Sequence, residues 1–234
     1  MLNYEKKAVF FDLDHTLWDF ERNAHETLSE LYFTYKLDEL FGASAVERFI
    51  STYNKHNQRL WGLYNLGQID KASLRKRRFG DTFEELGADK EALPSAFEED
   101  YLLYCPRKTH LFPHALEVLE YLKGRYSLHL ISNGFQEACT TKLTYSGLEK
   151  YFDTIVISEV VGVLKPDPAI FMHTLSKAGV EAKEAVMIGD NFEADVKGAL
   201  NVGIEAVYFN PTGINQPSGP HLHIGSLSDL KLFL

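Results

Sequence analysis

The feature that most restricts the fold of this chain is a change of rhythm after position 105. Four short runs rich in β-branched and other apolar residues follow: LHLIS at 128–132, TIVIS at 154–158, AVMIG at 185–189 and EAVYF at 205–209. Helical patterns alternate with them. PHALEVLEYLKG places Pro113 in a first turn and Gly124 at the stop, and DPAIFMHTLSKAG repeats the arrangement with Asp167 as N-cap, Pro168 at the first helical position and Gly179 past the end. Parallel strands need a long crossover, which a helix supplies. The alternation therefore predicts an α/β fold, a Rossmann-like parallel sheet wrapped by helices.

Near the N-terminus, AVFF at 8–11 is continuously apolar rather than alternating, the pattern of a strand buried on both faces of the same sheet. The residues between it and the next strand read instead as helices, in NAHETLSELYFTYKL, ASAVERFISTYNKHNQRLWGLYNLG and PSAFEEDYLLYC. The expected organisation is a core of residues 1–16 and 105–234, interrupted by a helical domain over 17–104. FNPTGINQPSGP, rich in Pro, Gly and Asn, is expected to be a surface loop ahead of a final short strand and helix.

The charge balance narrows the function classes. With 33 acidic against 24 basic residues the net charge is -9, opposite to that of a binder of nucleic acid polymers. The one dense basic run, RKRR at 75–78, is expected to be a solvated face, with the option of lending one arginine to a pocket. No apolar stretch approaches the ~20 residues that span a bilayer, and MLNYEKK carries no signal-peptide pattern. A cytoplasmic protein without a membrane partner is expected. Cys105 and Cys139 match neither a disulfide framework nor a zinc motif and are expected to be reduced thiols.

In open α/β sheets, ligands bind beyond the carboxyl ends of the strands. Asp12 and Asp14 follow AVFF at that place, Ser132 and Asn133 end LHLIS, Asp190 ends AVMIG with Asp195 shortly after, and Lys165 follows TIVIS in VLKPDP. Carboxylates converging on one edge repel each other and need protons or a cation between them. Oxygen ligands without clustered Cys or His suit magnesium better than zinc. A calcium loop of the EF-hand type is excluded, because its sixth and twelfth places, Gly and Glu, hold Leu17 and Asn23 here.

DLDHT, the serine of ISNG, the lysine of LKPD and the paired aspartates of GDNFEAD resemble, in order, the four motifs of the haloacid dehalogenase (HAD) superfamily, over positions 12–195. The helical insertion resembles the C1-type cap of that superfamily. FFDLDHTLWDF, LWGLYNLGQI, ISNGF and VISEVVGVLKPDPAIF are similar to its house-cleaning pyrimidine 5'-nucleotidase branch. The resemblance implies Asp12 as a nucleophile that forms an aspartyl-phosphate and Asp14 as the general acid and base. It implies Ser132 and Lys165 as grips on the phosphoryl oxygens, helped by backbone N–H groups of Leu13, Asp14 and Asn133. Magnesium would be held by the Asp12 and Asp190 side chains and the Asp14 carbonyl, with Asp195 acting indirectly. Thr16 would support the loop.

The expected activity is magnesium-dependent hydrolysis of a small phosphate monoester, with a nucleoside 5'-monophosphate first among substrates and the cap closing as a lid. Sugar-phosphate phosphatase and phosphomutase are the nearest alternatives. A 2-haloacid dehalogenase or a non-catalytic binding protein is further off, since the first characteristically lacks an aspartate at position 14 and the second should have lost a motif residue. Trp18, Phe20, Trp61 and Tyr64, all assigned to the insertion, are considered for stacking on a base, against the more usual reading of aromatic residues at helical spacing as core.

Overall fold

The structure, a computed structural model, describes residues 5–213, 219 and 221–234. It divides into two compact units, one of residues 1–21 and 109–234 and one of residues 22–108.

In the first unit, β1 (Ala8–Phe11) begins the sheet. The chain then enters α1 (Phe20–Thr34), and the second unit follows with α2 (Leu37–Phe41), α3 (Val46–Asn65), α4 (Lys71–Glu85) and α5 (Phe97–Tyr104). This unit has its own aromatic core. Tyr53 and Phe79 stack at 4.9 Å, and Phe79 meets Phe97 and Tyr101 edge-on at 5.0 and 5.3 Å. RKRR lies on α4, and its last residue departs from expectation. Arg78 is buried, paired with Glu98 at 3.2 Å and lying 4.9 Å from the centre of the Tyr101 ring. Helical periodicity turns it inward, so it is a core ion and not part of a solvated face.

The chain returns to the first unit through α6 (Ala115–Lys123), β2 (Ser127–Ser132), α7 (Gln136–Tyr145), β3 (Thr154–Ile157), α8 (Ser158–Val161) and α9 (Pro168–Ala178). It ends through β4 (Ala185–Gly189), α10 (Gly198–Asn201), β5 (Glu205–Phe209) and β6 (Leu222–Ile224). Among the described residues the sheet has six strands, all parallel, in the order β3-β2-β1-β4-β5-β6. β1 is central, with Ala8 facing Ser127 on one side and Ala185 on the other. Its four residues are fully buried. Phe10 packs with Ile131, Met187 and the Ile170 and Phe171 side chains of α9, while Val9 and Phe11 point to the opposite face by strand alternation.

The cap of α9 follows the sequence closely. The Asp167 carboxylate accepts from the Ala169 N–H at 2.8 Å, Pro168 opens the first turn and Gly179 ends the helix with φ 68°. Asp167→Ala is expected to lower the unfolding free energy by about 1 kcal/mol, a fall of roughly 2–4 °C in Tm, read by thermal denaturation.

Some local expectations are corrected. Pro113 precedes α6 instead of starting it, because His114 turns into the left-handed region at φ 68° and serves as the N-cap. The final helix, Leu227–Leu232, is a 3-10 helix. Residues 17–21 group with the sheet unit, where an isolated bridge pairs Trp18 with Leu111, and residues 105–108 group with the helical unit. The expected loop at 209–220 is described only in part, with Pro211, Thr212 and Gly213 exposed and 214–218 and 220 outside the described residues. Among the described residues no helix is long and apolar enough to cross a membrane.

Candidate active site

From β1 the chain continues to β2 on one side of the sheet, while β4 lies on the other, so the strand order reverses at β1 and a crevice opens beyond its carboxyl end. Asp12 stands at that point, its N–H donating to the Ile188 carbonyl of β4 at 2.9 Å. Lys165 reaches it from the loop before α9. Its ammonium donates to Asp12 Oδ1 at 2.5 Å and to the Ile131 carbonyl at 2.7 Å, and pairs with Asp195 Oδ1 at 2.7 Å. The lysine is buried, and three oxygens compensate for the water it has lost. Burial acts to lower its pKa, but Asp12 and then Asp195 outweigh this and hold it above the ordinary lysine value. Asn133 clamps the backbone of the same residue, accepting from the Lys165 N–H at 2.7 Å and donating to its carbonyl at 2.9 Å.

Ligand oxygens of Asp12, Asp190 and Asp195 lie within 4.8 Å of one another. Burial pushes Asp12 up to about 7, opposed by Lys165 and aided by Asp195 and Asp14. Burial likewise pushes Asp190 well above the ordinary carboxylate value, with Asp12 and Asp195 adding to it. Lys165 offsets one of the three negative charges, leaving a deficit that matches a divalent cation, and the donors are hard oxygens. The residues fit such an ion. Asp195 is the least available of them, because Oδ1 faces Lys165 and Oδ2 accepts from the Asn191 N–H at 3.0 Å.

Local backbone sets these positions. After β4 the chain enters a π-helical turn, Phe192–Lys197, whose N-cap Asn191 accepts from the Ala194 N–H at 3.0 Å. The wide turn brings Asp195 back against Gly189, so closely that a Cβ there would collide with its carboxylate. Thr16 Oγ1 donates to Asp190 Oδ1 at 3.1 Å and accepts from the Asp190 N–H at 3.1 Å. Thr16 thus orients a candidate ligand, beyond the loop support expected of it.

Asp14 is held by a different cation. His15 adopts φ 65°, and the Leu13 carbonyl accepts from both Leu17 and Trp18 N–H groups, which coils the chain tightly after the strand. The Asp14 carboxylate then meets Lys142 of α7, which donates to Oδ1 at 2.6 Å. Its other oxygen faces the β2 end. A Cβ placed on Gly134 would lie 3.9 Å from Asp14 Oδ2 and 3.2 Å from Ser132 Oγ, so these two polar groups flank the same spot. The Ser132 hydroxyl accepts from the Gly134 N–H at 3.1 Å. Cys139, beside it at 3.4 Å, is pushed by burial up to about 11 and stays a thiol.

Of the residues singled out in the sequence, Asp12, Asp190, Asp195 and Lys165 converge directly, and Ser132, Asn133 and Asp14 border them. Leu13 has a fully buried side chain, so only its backbone is available to a ligand. Trp18 is corrected. It is fully buried, with the Lys142 ammonium 4.3 Å from the centre of one ring, and cannot stack on a base in this structure. Phe20 is half-buried, against His15 at 5.1 Å and Trp18 at 6.1 Å. Trp61 and Tyr64 are half-buried at the end of α3 in the helical unit. No motif in the sequence marks Lys142.

Comparison with known proteins agrees with this geometry. The family model described as haloacid dehalogenase-like hydrolase matches residues 6–203. The pyrimidine 5'-nucleotidase YjjG of Escherichia coli is 31% identical, over 97% of this chain and 96% of its own length. The pyrimidine 5'-nucleotidase PynA of Streptococcus pneumoniae is 33% identical, over 88% of this chain and 84% of its own. The magnesium-bound crystal structure of the HAD-hydrolase YfnB from Bacillus subtilis superposes with a TM-score of 0.85 at 23% identity, covering 98% of both chains. The chain belongs to the haloacid dehalogenase-like hydrolases and is a phosphatase of that family.

Proposed function

We propose that the chain is a magnesium-dependent 5'-nucleotidase that hydrolyses a nucleoside 5'-monophosphate through an aspartyl-phosphate. The observation that carries this is the pair Asp12 and Asp14, two residues apart at the sheet's reversal point, each pinned through Oδ1 by its own lysine. One carboxylate suited to attack and another suited to proton transfer are thereby held apart in role. An aspartate at position 14 also separates the chain from a dehalogenase, which needs no proton for its leaving halide.

Lys165 leaves Asp12 Oδ2 to attack phosphorus. As the Oδ2–P bond forms, the P–O bond to the nucleoside breaks and Asp14 gives its proton to the departing oxygen. In the second half, Asp14 takes a proton from water, the water oxygen bonds to phosphorus and the Asp12–phosphorus bond breaks, returning Asp12 as a carboxylate and Asp14 in its protonated form. Ser132 and the positive charge of Lys165 draw the phosphoryl oxygens into line, and most of the rate enhancement comes from such positioning and charge compensation. Held by Asp12, Asp190 and the Asp14 carbonyl, with Asp195 behind them, magnesium would neutralise the dianionic phosphoryl group beside the carboxylates. Phe20, half-buried beside the loop, is the aromatic residue proposed to meet the base. The two pyrimidine 5'-nucleotidase relatives support the choice of substrate class.

Phosphate release should be measured across pyrimidine and purine 5'-monophosphates, sugar phosphates and an aryl phosphate, with magnesium and with chelator. The expected result is a preference for pyrimidine 5'-monophosphates and a loss of about 100-fold or more on chelation. Equal turnover with chelator would remove the metal from the scheme, and preference for sugar phosphates would overturn the substrate.

A further inference from the structure

Lys142 is a buried ammonium that takes no part in the chemical steps above. It sits in the last turn of α7 at 6% exposure, beneath Asp14, which keeps 25% of its side chain accessible. Its ammonium is enclosed by the Asp14 carboxylate at 2.6 Å and by the rings of Trp18 at 4.3 Å and Phe20 at 5.5 Å. An ammonium held against aromatic faces keeps its charge at reduced hydration, and it is fixed in place more firmly than a surface lysine.

The arrangement is directional. Lys142 occupies Oδ1 of Asp14, while Oδ2 is the oxygen on the side of Gly134 and Ser132. Ser132 ends β2 and Lys142 lies on the helix that follows, so one βα unit supplies both the proposed phosphate grip and the restraint on Asp14. Without Lys142 the Asp14 side chain would be free to rotate about two torsions, and proton transfer depends on placing the donor within hydrogen-bond reach of the leaving oxygen.

We propose that Lys142, backed by Trp18, is a positioning residue that fixes the Asp14 carboxylate so that Oδ2 faces the leaving group. This rests on the phosphatase mechanism proposed above. Lys142 meets the Asp14 side chain, so its removal should act chiefly on proton delivery. That separates it from a merely structural ion.

The test compares Lys142→Met with wild type on two esters in magnesium. One is an alkyl nucleotide, whose alkoxide needs a proton to leave; the other is p-nitrophenyl phosphate, whose phenolate departs without one. The quantity read is kcat/KM, which reports transfer to Asp12 and excludes the later water step. The expected result is a fall of about 100-fold on the alkyl ester and less than about fivefold on the aryl ester, the size of a general-acid contribution. Lys142→Arg should restore most of the alkyl rate. Equal losses on both esters, or no loss on either, would overturn the positioning role. If Lys142→Met does not fold, Lys142→Gln, whose shorter side chain cannot hold Oδ1 in the same place, is read in the same way. Wild-type protein inactive on both esters, with Asp12→Asn indistinguishable from it, would bring down the phosphatase mechanism itself and the inference with it.

Discussion

Asp12→Asn is expected to reduce phosphate release by about four orders of magnitude or more on every ester the wild type hydrolyses. The amide is nearly isosteric, and its oxygen can still accept from Lys165, so loss of fold is not the expected cause. What it lacks is the nucleophilic carboxylate oxygen. An alkyl ester and an aryl ester should therefore fail alike, in contrast to a defect in Asp14, where the leaving group decides the loss. The measurement is single-turnover phosphate release at saturating magnesium, with a circular dichroism melt to confirm folding. Activity within tenfold of wild type would remove Asp12 from the reaction and return the choice of nucleophile to Asp14 or to bound water.

Lys165→Met is expected to have the largest effect on stability, a loss of about 3–5 kcal/mol in urea denaturation without metal. Methionine fills much of the same volume, but the Asp12 and Asp195 carboxylates then face each other without the buried ammonium between them, and the Ile131 carbonyl loses its donor. Magnesium that binds only the folded chain should recover part of the deficit, because such an ion stabilises by RT ln(1 + L/Kd), with L its free concentration, and so increasingly with that concentration. Activity should stay at background even then, since the grip on the phosphoryl group is absent. A destabilisation below about 1 kcal/mol would show that the acidic cluster is neutralised by some other means.

Much of the sheet was legible because short apolar runs closed by polar residues are a local signal. AVFF, AVMIG and EAVYF form strands at their expected bounds. The residues that end those strands meet because the strand order reverses at β1, and that follows from parallel connectivity. Other features depend on contacts that no local pattern carries. Residues 17–21 look helical and aromatic, yet they stay with the sheet because Trp18 pairs with Leu111 far along the chain. Trp18 is one of four aromatic residues the sequence offers for stacking, and its burial against Lys142 cannot be read from its position. Lys142 itself sits in EACTTKLTY like any helical lysine, and only the packing of α7 brings it to Asp14. Arg78 was masked by company, since three neighbouring basic residues made the whole run look solvated when helical rotation turns one of them inward. Pro113 misled for a backbone reason, because His114 absorbs a left-handed turn that the usual proline start would make unnecessary.

The pairing at Trp18 and Leu111 also bears on the history of the chain. Asp19 N–H donates to the His110 carbonyl at 3.1 Å, and Phe112 N–H to the Leu17 carbonyl at 2.9 Å, so the two places where the chain leaves and re-enters the sheet unit are stitched together. Everything between them is, topologically, the contents of a hairpin. A short turn joining residue 19 to residue 110 would satisfy the same pairing, and a different domain whose own termini lie close together would fit there equally well. The stitch makes the catalytic core a socket, in which the inserted module can be exchanged while the strand ends that carry the chemistry keep their register.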